Sequence, residues 1–572
     1  MALAFACVAT AVWAGTVVRA AGHGLDLTDE GFYLLSYRWW NVDRRTFTGA
    51  QYVYGPVFAL LGHDIAALRV FRLITVVGVH LVFGLAFMRW LRLRRPSAPP
   101  SRMWEAAGAA AVVAAGGAMY SWLPLTPGYN DVVLLGALLG LAAVFAMARH
   151  AERGARIPAW LPFALGVTVV PVLLAKWAAL LLMTLVAVAG VVALSPLGRR
   201  AVAGAAGRSL AGIAAGTALL HVTVAPLTAV VPPMVEVNRL LAAHSFSIPV
   251  LLDRYWTDSI PMFASAARQY GLLLAAALVA ALVRHPVRHA AAGVLGVLGL
   301  ATAVRHAARD GGLGGGAVNV AAFVAPLLAA MLVALVVAVA ARLENTRGRL
   351  LLAAPAVLPL GYAFGTSNIP LKVSVLAFAA WMAVLIAVIT GLDRTAVAAR
   401  AVTAAVAVGS LVVVGCVATG GAWRHPYRGV PNALATATAP GVPALASVRL
   451  DPEQARRYAD LHARVAPYVE PAGRRVMALD KMAGIVLVLD GRSVGEAWYA
   501  PEDPARTAAG IAAQCVHGPP WPPDRAPVLV VNRPLRPEDR RLLAPCGLDP
   551  YRDYRLLAPA RETGGLTVLV PA

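Results

Sequence analysis

The sequence predicts a polytopic α-helical membrane protein of about 13 transmembrane helices, followed by a small carboxyl-terminal α/β domain. Three observations carry that expectation. Apolar residues make up 59% of the 572-residue chain and charged residues only 14%. Many apolar runs reach the ~18 residues that a membrane helix needs. The basic residues gather in short hydrophilic breaks between those runs, as the positive-inside rule requires of cytoplasmic loops. The formal charge of +21 is therefore a mark of topology, and no nucleic-acid partner is expected. The 4 cysteines, at positions 7, 416, 515 and 546, lack metal-ligand spacing, which argues against a zinc site.

Residues 2–18 form the first apolar segment, and no basic residue precedes it. It predicts an uncleaved helix that starts in the cytoplasm, in place of a signal peptide. The second segment, near 66–90, ends in Arg89, Arg92, Arg94 and Arg95, with Arg102 just beyond, and this loop marks the cytoplasmic side. Further segments fall near 104–122, 131–148, 158–174, 177–195, 209–231, 268–284, 289–305, 316–341, 350–364, 372–391 and 399–419. In this scheme Arg149, Arg153 and Arg156, then Arg199, Arg200 and Arg208, fall on the cytoplasmic side. Arg284 and Arg288, then Arg342, Arg347 and Arg349, then Arg394 and Arg400, follow the same sign. An odd number of spans puts the amino terminus inside the cell and the carboxyl terminus outside, in a multi-pass cell-membrane protein.

Near residue 420 the composition changes, dividing a transmembrane domain, 1–420, from an extracytoplasmic domain, 421–572. Residues 451–469 have helical periodicity, and 475–480 and 527–532 have the apolar character of buried strands. Helical stretches near 504–515 and 536–543 separate further strands near 552–558 and 566–570, an α/β pattern. On an oxidising outer side, Cys515 and Cys546 are expected to form a disulfide.

The first outer loop, 23–64, concentrates the unusual residues. It holds Asp26, Asp29, Glu30 and Asp43 among arginines and a run of tyrosines and tryptophans. Between Phe32 and Trp40 the apolar residues recur at helical spacing, as in a helix lying in the membrane interface. Aromatic residues at that level commonly serve as anchors. An ionised carboxylate at the edge of the hydrocarbon is harder to account for, since carrying it to the centre costs roughly 2.5–3.5 kcal/mol, and it is a functional candidate by default. The alternative is a helix cap formed by Thr28 or Asp29.

Several short motifs fall in order along the outer side: Asp29-Glu30-Gly31-Phe32-Tyr33, then Tyr54-Gly55-Pro56, then Arg69-Val70-Phe71-Arg72 entering the second span. Pro127-Gly128-Tyr129-Asn130-Asp131 and Gly365-Thr366-Ser367-Asn368 follow. Together they resemble the GT-C superfamily of membrane glycosyltransferases, in particular the branch of protein O-mannosyltransferases and aminoarabinose transferases. The resemblance covers about residues 1–420, and it implies transfer of a sugar from a polyprenyl-phosphate carrier in the bilayer to an extracytoplasmic glycan, glycolipid or protein, with inversion.

The same resemblance implies that Asp29 is the general base for the acceptor hydroxyl, with Glu30 positioning the acceptor or substituting as base. Its motifs put Tyr33, Tyr54, Tyr129, Asn130 and Asn368 among the substrate-binding residues. The departing lipid phosphate needs cations, and Arg69, Arg72, Lys176 and Lys372 are the candidates, each with the alternative of snorkelling at a helix end. No cofactor is identified, and divalent-metal dependence is left open because some superfamily members use a metal and others do not.

Weaker candidates remain. His285 and His289 are spaced for a metal but flank a proline on the cytoplasmic side, and the glycine-rich stretch 310–316 lacks a following Lys-Ser/Thr and is expected to be an outer loop. The fourth outer loop, 232–268, has a mixed character that suits either an acceptor-side lid or a solvated loop. A transporter or flippase would instead carry charges at midspan on helices related by a repeat, and no repeat is visible. A non-catalytic scaffold with a partner-binding outer domain is the third class.

Overall fold

The computed structural model describes residues 1–95, 102–244, 247–282, 287–309, 320–340, 343–366, 368–392, 396–469, 475–495, 498–499, 504–516, 526–558 and 565–572. The chain opens with α1 (Ala2–Ala20), α2 (Asp29–Arg38), α3 (Gln51–Leu60) and the 29-residue α4 (Ile65–Leu93). Next come α5 (Arg102–Ala115), α6 (Tyr129–Glu152), α7 (Trp160–Ala175) and α8 (Leu180–Leu194). They lead to α9 (Arg199–Thr223), α10 (Leu227–His244), α11 (Ile248–Gln269), α12 (Gly271–Leu282) and α13 (Val287–Arg309). The apolar region closes with α14 (Val320–Ala340), α15 (Thr346–Ala363), α16 (Pro370–Ser374), α17 (Phe378–Gly391) and α18 (Val397–Thr419).

Among the described residues, each apolar segment read from the sequence falls mostly on helix, because a backbone in hydrocarbon must satisfy its polar groups within its own helix. Among the described residues, 6 helices are long and apolar enough to cross a membrane, or up to 8 if two bent pairs each count as one span. The pairs are α9–α10, bent by 98°, and α11–α12, bent by 73°. Pro226 sits in the first break, and a proline disfavours helical geometry in the residue before it. Shorter apolar helices cover Trp160–Ala175, Ala290–Gly299 and Val324–Ala340. The region 232–268, expected as a loop, is instead helical over most of its length, as the end of α10 and nearly all of α11.

At about 1.5 Å per residue, α4 is roughly 43 Å long and separates two charged ends. At its carboxyl end Arg94 meets Glu152 at 3.0 Å and Glu344 at 2.5 Å, and Arg347 meets Glu152 at 3.3 Å. The hydrophilic breaks after α4, α6 and α14 therefore gather at one end of the bundle. Between the ends, Phe83, Phe87, Trp90 and Phe145 interlock with ring centroids 4.9 to 6.3 Å apart.

The carboxyl-terminal part runs α19 (Pro452–Val469), β1 (Arg475–Ala478), α20 (Ala483–Val488), β2 (Arg492–Ser493), α21 (Pro504–Val516), β3 (Val528–Val531), α22 (Pro537–Leu543), β4 (Tyr554–Ala558) and β5 (Thr567–Pro571). The strands form one sheet in the order β2-β1-β3-β5-β4. β1 is parallel to β2 and β3, and β5 is antiparallel to β3 and β4. β3 is buried at all four positions, which explains its unbroken Val-Leu-Val-Val run. Cys515, at the end of α21, is disulfide-bonded to Cys546. α20 and β2 were not among the elements read from the sequence.

This part docks on the loop that follows α1. Trp39 Nε1 donates to the Gly491 carbonyl at 2.9 Å, Arg492 meets Asp43 at 2.7 Å, and Arg38 pairs with Asp490. α20 lies directly against α2: the Gly484 amide donates to the Leu27 carbonyl at 2.8 Å. A Cβ on Gly31 would fall 2.4 Å from the Gly484 nitrogen, so only paired glycines allow the approach. Phe32, Tyr33, Leu34, Leu35 and Tyr37 are all buried, and α2 is a packed internal helix where the sequence pattern suggested one lying in the interface.

Candidate functional site

The site is organised by α2. Asp26 initiates that helix: its carboxylate accepts from the Thr28 amide at 3.0 Å, the Thr28 hydroxyl at 2.8 Å and the Glu30 amide at 3.1 Å. The capping role considered for Thr28 or Asp29 is thus taken by Asp26. Burial pushes the Asp26 carboxyl up to about 6, against the pull of these hydrogen bonds.

Glu30 and Asp29 are neighbours with different surroundings. Glu30 is buried, and its Oε1 accepts from Arg69 Nη2 at 2.9 Å and from the Thr126 hydroxyl at 2.5 Å. Arg69 also donates to the carbonyls of Ala21 at 2.8 Å, His23 at 3.0 Å and Gly24 at 2.8 Å. One turn further along α4, Arg72 meets Asp131 at 2.6 Å, donates to the Pro124 carbonyl at 2.6 Å and lies 4.6 Å over the Tyr120 ring. Asp131 in turn accepts from the Gly128 amide at 2.8 Å, and Tyr37 donates to the Pro127 carbonyl at 2.7 Å. Tyr54 packs 5.6 Å from Tyr37 in this same layer.

These bonds make the Glu30–Arg69 and Arg72–Asp131 pairs a buried clamp that ties the loop after α1 to the loop before α6. The guanidinium groups expected at a phosphate are occupied by carboxylates and carbonyls, and Glu30 is likewise occupied by Arg69. All three side chains are thus engaged within the buried scaffold. A buried pair of this kind is stable only with its remaining hydrogen bonds satisfied, as they are here.

Asp29 stays partly open, at 27% side-chain exposure. Tyr427, just past α18, donates its hydroxyl to the Asp29 carboxylate, and Arg428 approaches the same carboxylate at 3.4 Å. Arg428 also donates to the Thr28 hydroxyl at 2.5 Å. Burial and the Asp29 charge together push the Tyr427 phenol well above its ordinary range. Neither residue carries a sequence signal beyond an aromatic–basic pair at a helix end, the usual pattern of an interfacial anchor.

Tyr33 and Tyr129 both lie within electrostatic reach of this carboxylate and belong to an aromatic cluster. Tyr33 is 6.2 Å from Tyr129 and 6.3 Å from Tyr37, and Phe47 lies 5.9 Å from Tyr129. Phe32 stacks 5.1 Å from Phe47 and meets Trp498 of the carboxyl-terminal part at 5.7 Å. Asn130, beside Tyr129 on the first turn of α6, is partly exposed, whereas Asn368 is exposed and its amide donates to the Thr366 hydroxyl at 3.1 Å.

The two lysines expected at the phosphate have other partners. Lys372 Nζ sits 4.2 Å over the Trp122 ring, within electrostatic reach of Arg428. Lys176, buried at the turn between α7 and α8, donates to the Tyr362 carbonyl at 3.1 Å. Tyr362 lies within electrostatic reach of Tyr129, which in turn feels Asp29. Among the described residues neither lysine has a carboxylate partner, which distinguishes both from Arg69 and Arg72.

Among the described residues no group of three or more His, Cys, Asp or Glu side chains gathers to hold a metal. The phenol and guanidinium beside Asp29 do not suit a divalent cation. His285, the side chain of His289, Ser367 and the stretch 310–316 lie outside the described residues. No protein-family model matches this chain, and no curated protein matches it. The long apolar helices and the small sheet define a helical membrane protein with a carboxyl-terminal α/β unit docked on the loop that carries Asp29.

Proposed function

We propose that the chain is a membrane glycosyltransferase that moves a sugar from a polyprenyl-phosphate carrier to an extracytoplasmic acceptor, with inversion at the anomeric carbon. On this reading it has a GT-C-like architecture of about 13 spans, with the bent pairs, the shorter apolar helices, α5 and α15 counted in, and its carboxyl-terminal domain lies outside the cytoplasm. The Cys515–Cys546 disulfide supports that side for the domain.

The observation that carries the reading is the difference among the acids of one loop. Asp26 and Asp64 cap helices, and Glu30 and Asp43 pair with arginines of the scaffold. Asp29 keeps a partly open carboxylate, approached by Arg428 and held by Tyr427, whose charge reaches Tyr33 and Tyr129. In the reaction, the acceptor oxygen bonds to the anomeric carbon while its proton passes to Asp29. The bond from that carbon to the phosphate oxygen breaks, and its electron pair leaves on the lipid phosphate, whose charge Lys176 and Lys372 stabilise. Tyr33, Tyr129 and Asn130 offer the ring faces and polar edge that a sugar needs. Arg69 and Arg72 act at one remove, by holding the clamp beneath α2.

The two sharply bent helix pairs favour a second reading, a transporter or flippase of a lipid-linked substrate, since broken helices line such pathways. Membranes containing the chain, incubated with radiolabelled polyprenyl-phosphate sugars, separate the two. Label moving to polymer, glycolipid or protein is expected, and translocation of intact donor without transfer would overturn the enzyme reading.

A further inference from the structure

At the end of α4 opposite Asp29, a cavity of about 450 Å³ opens between the ends of α4, α5 and α6, lined by Arg89, Arg92, Arg102, Glu105, Arg149 and Arg153. Its size lies within the range of sites that hold small ligands. Five guanidinium groups face one carboxylate. Glu105 is already engaged, at 2.6 Å from Arg92 and 3.8 Å from Arg89. Among the described residues no carboxylate pairs with Arg102, Arg149 or Arg153, and Arg149 lies within electrostatic reach of three like charges, Arg89, Arg92 and Arg153, and of the single acid, Glu105.

The positive-inside rule asks only that arginines lie on one side of the membrane, not that they converge. The neighbouring arginines show what the fold does where no ligand is needed: Arg94, Arg95 and Arg347 each meet Glu152 or Glu344. The cavity is left with a large excess of positive charge held on three packed helices. Arginine presents paired N–H donors in the geometry that phosphate oxygens accept, and several together strengthen the attraction for a phosphate-bearing anion.

We propose that this cavity binds a phosphate- or diphosphate-bearing anion, carried either by a membrane lipid headgroup or by a free molecule from the aqueous side. Met103, beside Arg102 and 66% exposed, gives a lipid acyl chain an apolar contact next to the charged pocket.

Native mass spectrometry of the full chain in neutral detergent tests this, with dioleoylphosphatidylglycerol and inorganic pyrophosphate added separately and dioleoylphosphatidylcholine as reference. The double substitution Arg149→Gln, Arg153→Gln is compared with Arg199→Gln, Arg200→Gln, which removes equal charge from another hydrophilic break. The first pair is expected to weaken anion binding about 30-fold, and the second to leave it unchanged. Retention of phosphatidylglycerol alone identifies a lipid headgroup site, and pyrophosphate alone identifies a soluble anion; both support the proposal. Equal retention of phosphatidylcholine, or equal losses in the two double variants, would overturn it. A milder Arg153→Lys variant, read the same way with a smaller expected loss, covers the case in which the double variant fails to fold.

Discussion

Tyr427 donates its hydroxyl to the carboxylate of Asp29 across a separation of 398 residues. The bond fixes one carboxylate oxygen and leaves the other side open to an acceptor. Asp29→Asn keeps the shape and loses the base, so transfer should fall by about 100-fold or more with the thermal midpoint unchanged. Tyr427→Phe removes only the positioning bond and should cost about tenfold in turnover. Turnover of labelled donor in membranes measures both, and an Asp29→Asn variant with full activity would end the base assignment.

Glu30 and Arg69 behave differently because both are buried. Arg69→Met leaves the Glu30 carboxylate without its cation and should destabilise the fold by about 3–5 kcal/mol. Adding Glu30→Gln should recover part of the loss, since the uncompensated charge is then gone. Thermal unfolding in detergent reads this cycle, and strictly additive losses would show that the two residues do not act as a pair.

Asp26 gives a pH dependence of definite sign. Its folded value of about 6 lies above the ordinary 3.8, so the folded state binds the extra proton between them. Its stabilising contribution is fully present below the ordinary carboxylate range and is lost as pH rises through about 6. The chain should therefore gain stability on this account as pH falls from about 7 to 5, and Asp26→Asn, which keeps a capping oxygen, should remove that gain. Thermal midpoints of the two proteins across this range make the comparison.

Lys176 is a buried amine held by a carbonyl, an arrangement costly to the resting protein. Lys176→Met should keep or raise the thermal midpoint while weakening donor binding by about tenfold, the opposite signs expected of a residue kept for a ligand. Binding of a polyprenyl-phosphate sugar measured beside unfolding gives both numbers. A variant that binds donor normally would assign the lysine to packing.

Much of this arrangement was legible in the sequence, for reasons that are local. Apolar runs place α1, α4, α6 and α18 because the bilayer permits little else, and the alternation of β3 with helical stretches marks the small sheet. The Cys515–Cys546 pairing followed from placing both on one oxidising side. What stayed hidden is long-range. Nothing near Arg69 or Arg72 announces that Glu30 and Asp131 will occupy them, because a partner 39 or 59 residues away leaves no pattern at helical spacing. Tyr427 and Arg428 were masked by their likeness to membrane anchors. α20 escaped because its Ala-Gly-Ile-Val-Leu-Val run has no period that distinguishes a buried helix from a strand.

The contact of Gly31 with Gly484 gives the two halves of the molecule an unusual mechanical relation. Main chain bears on main chain there, with no side chains between them to bend or slide. A macromolecule leaning on the carboxyl-terminal sheet would push on the first turn of α2 without slack, and the acid in that same turn would feel the load. The sheet is coupled to the chemistry like a handle welded to a blade, and it cannot swing aside while the blade stays still.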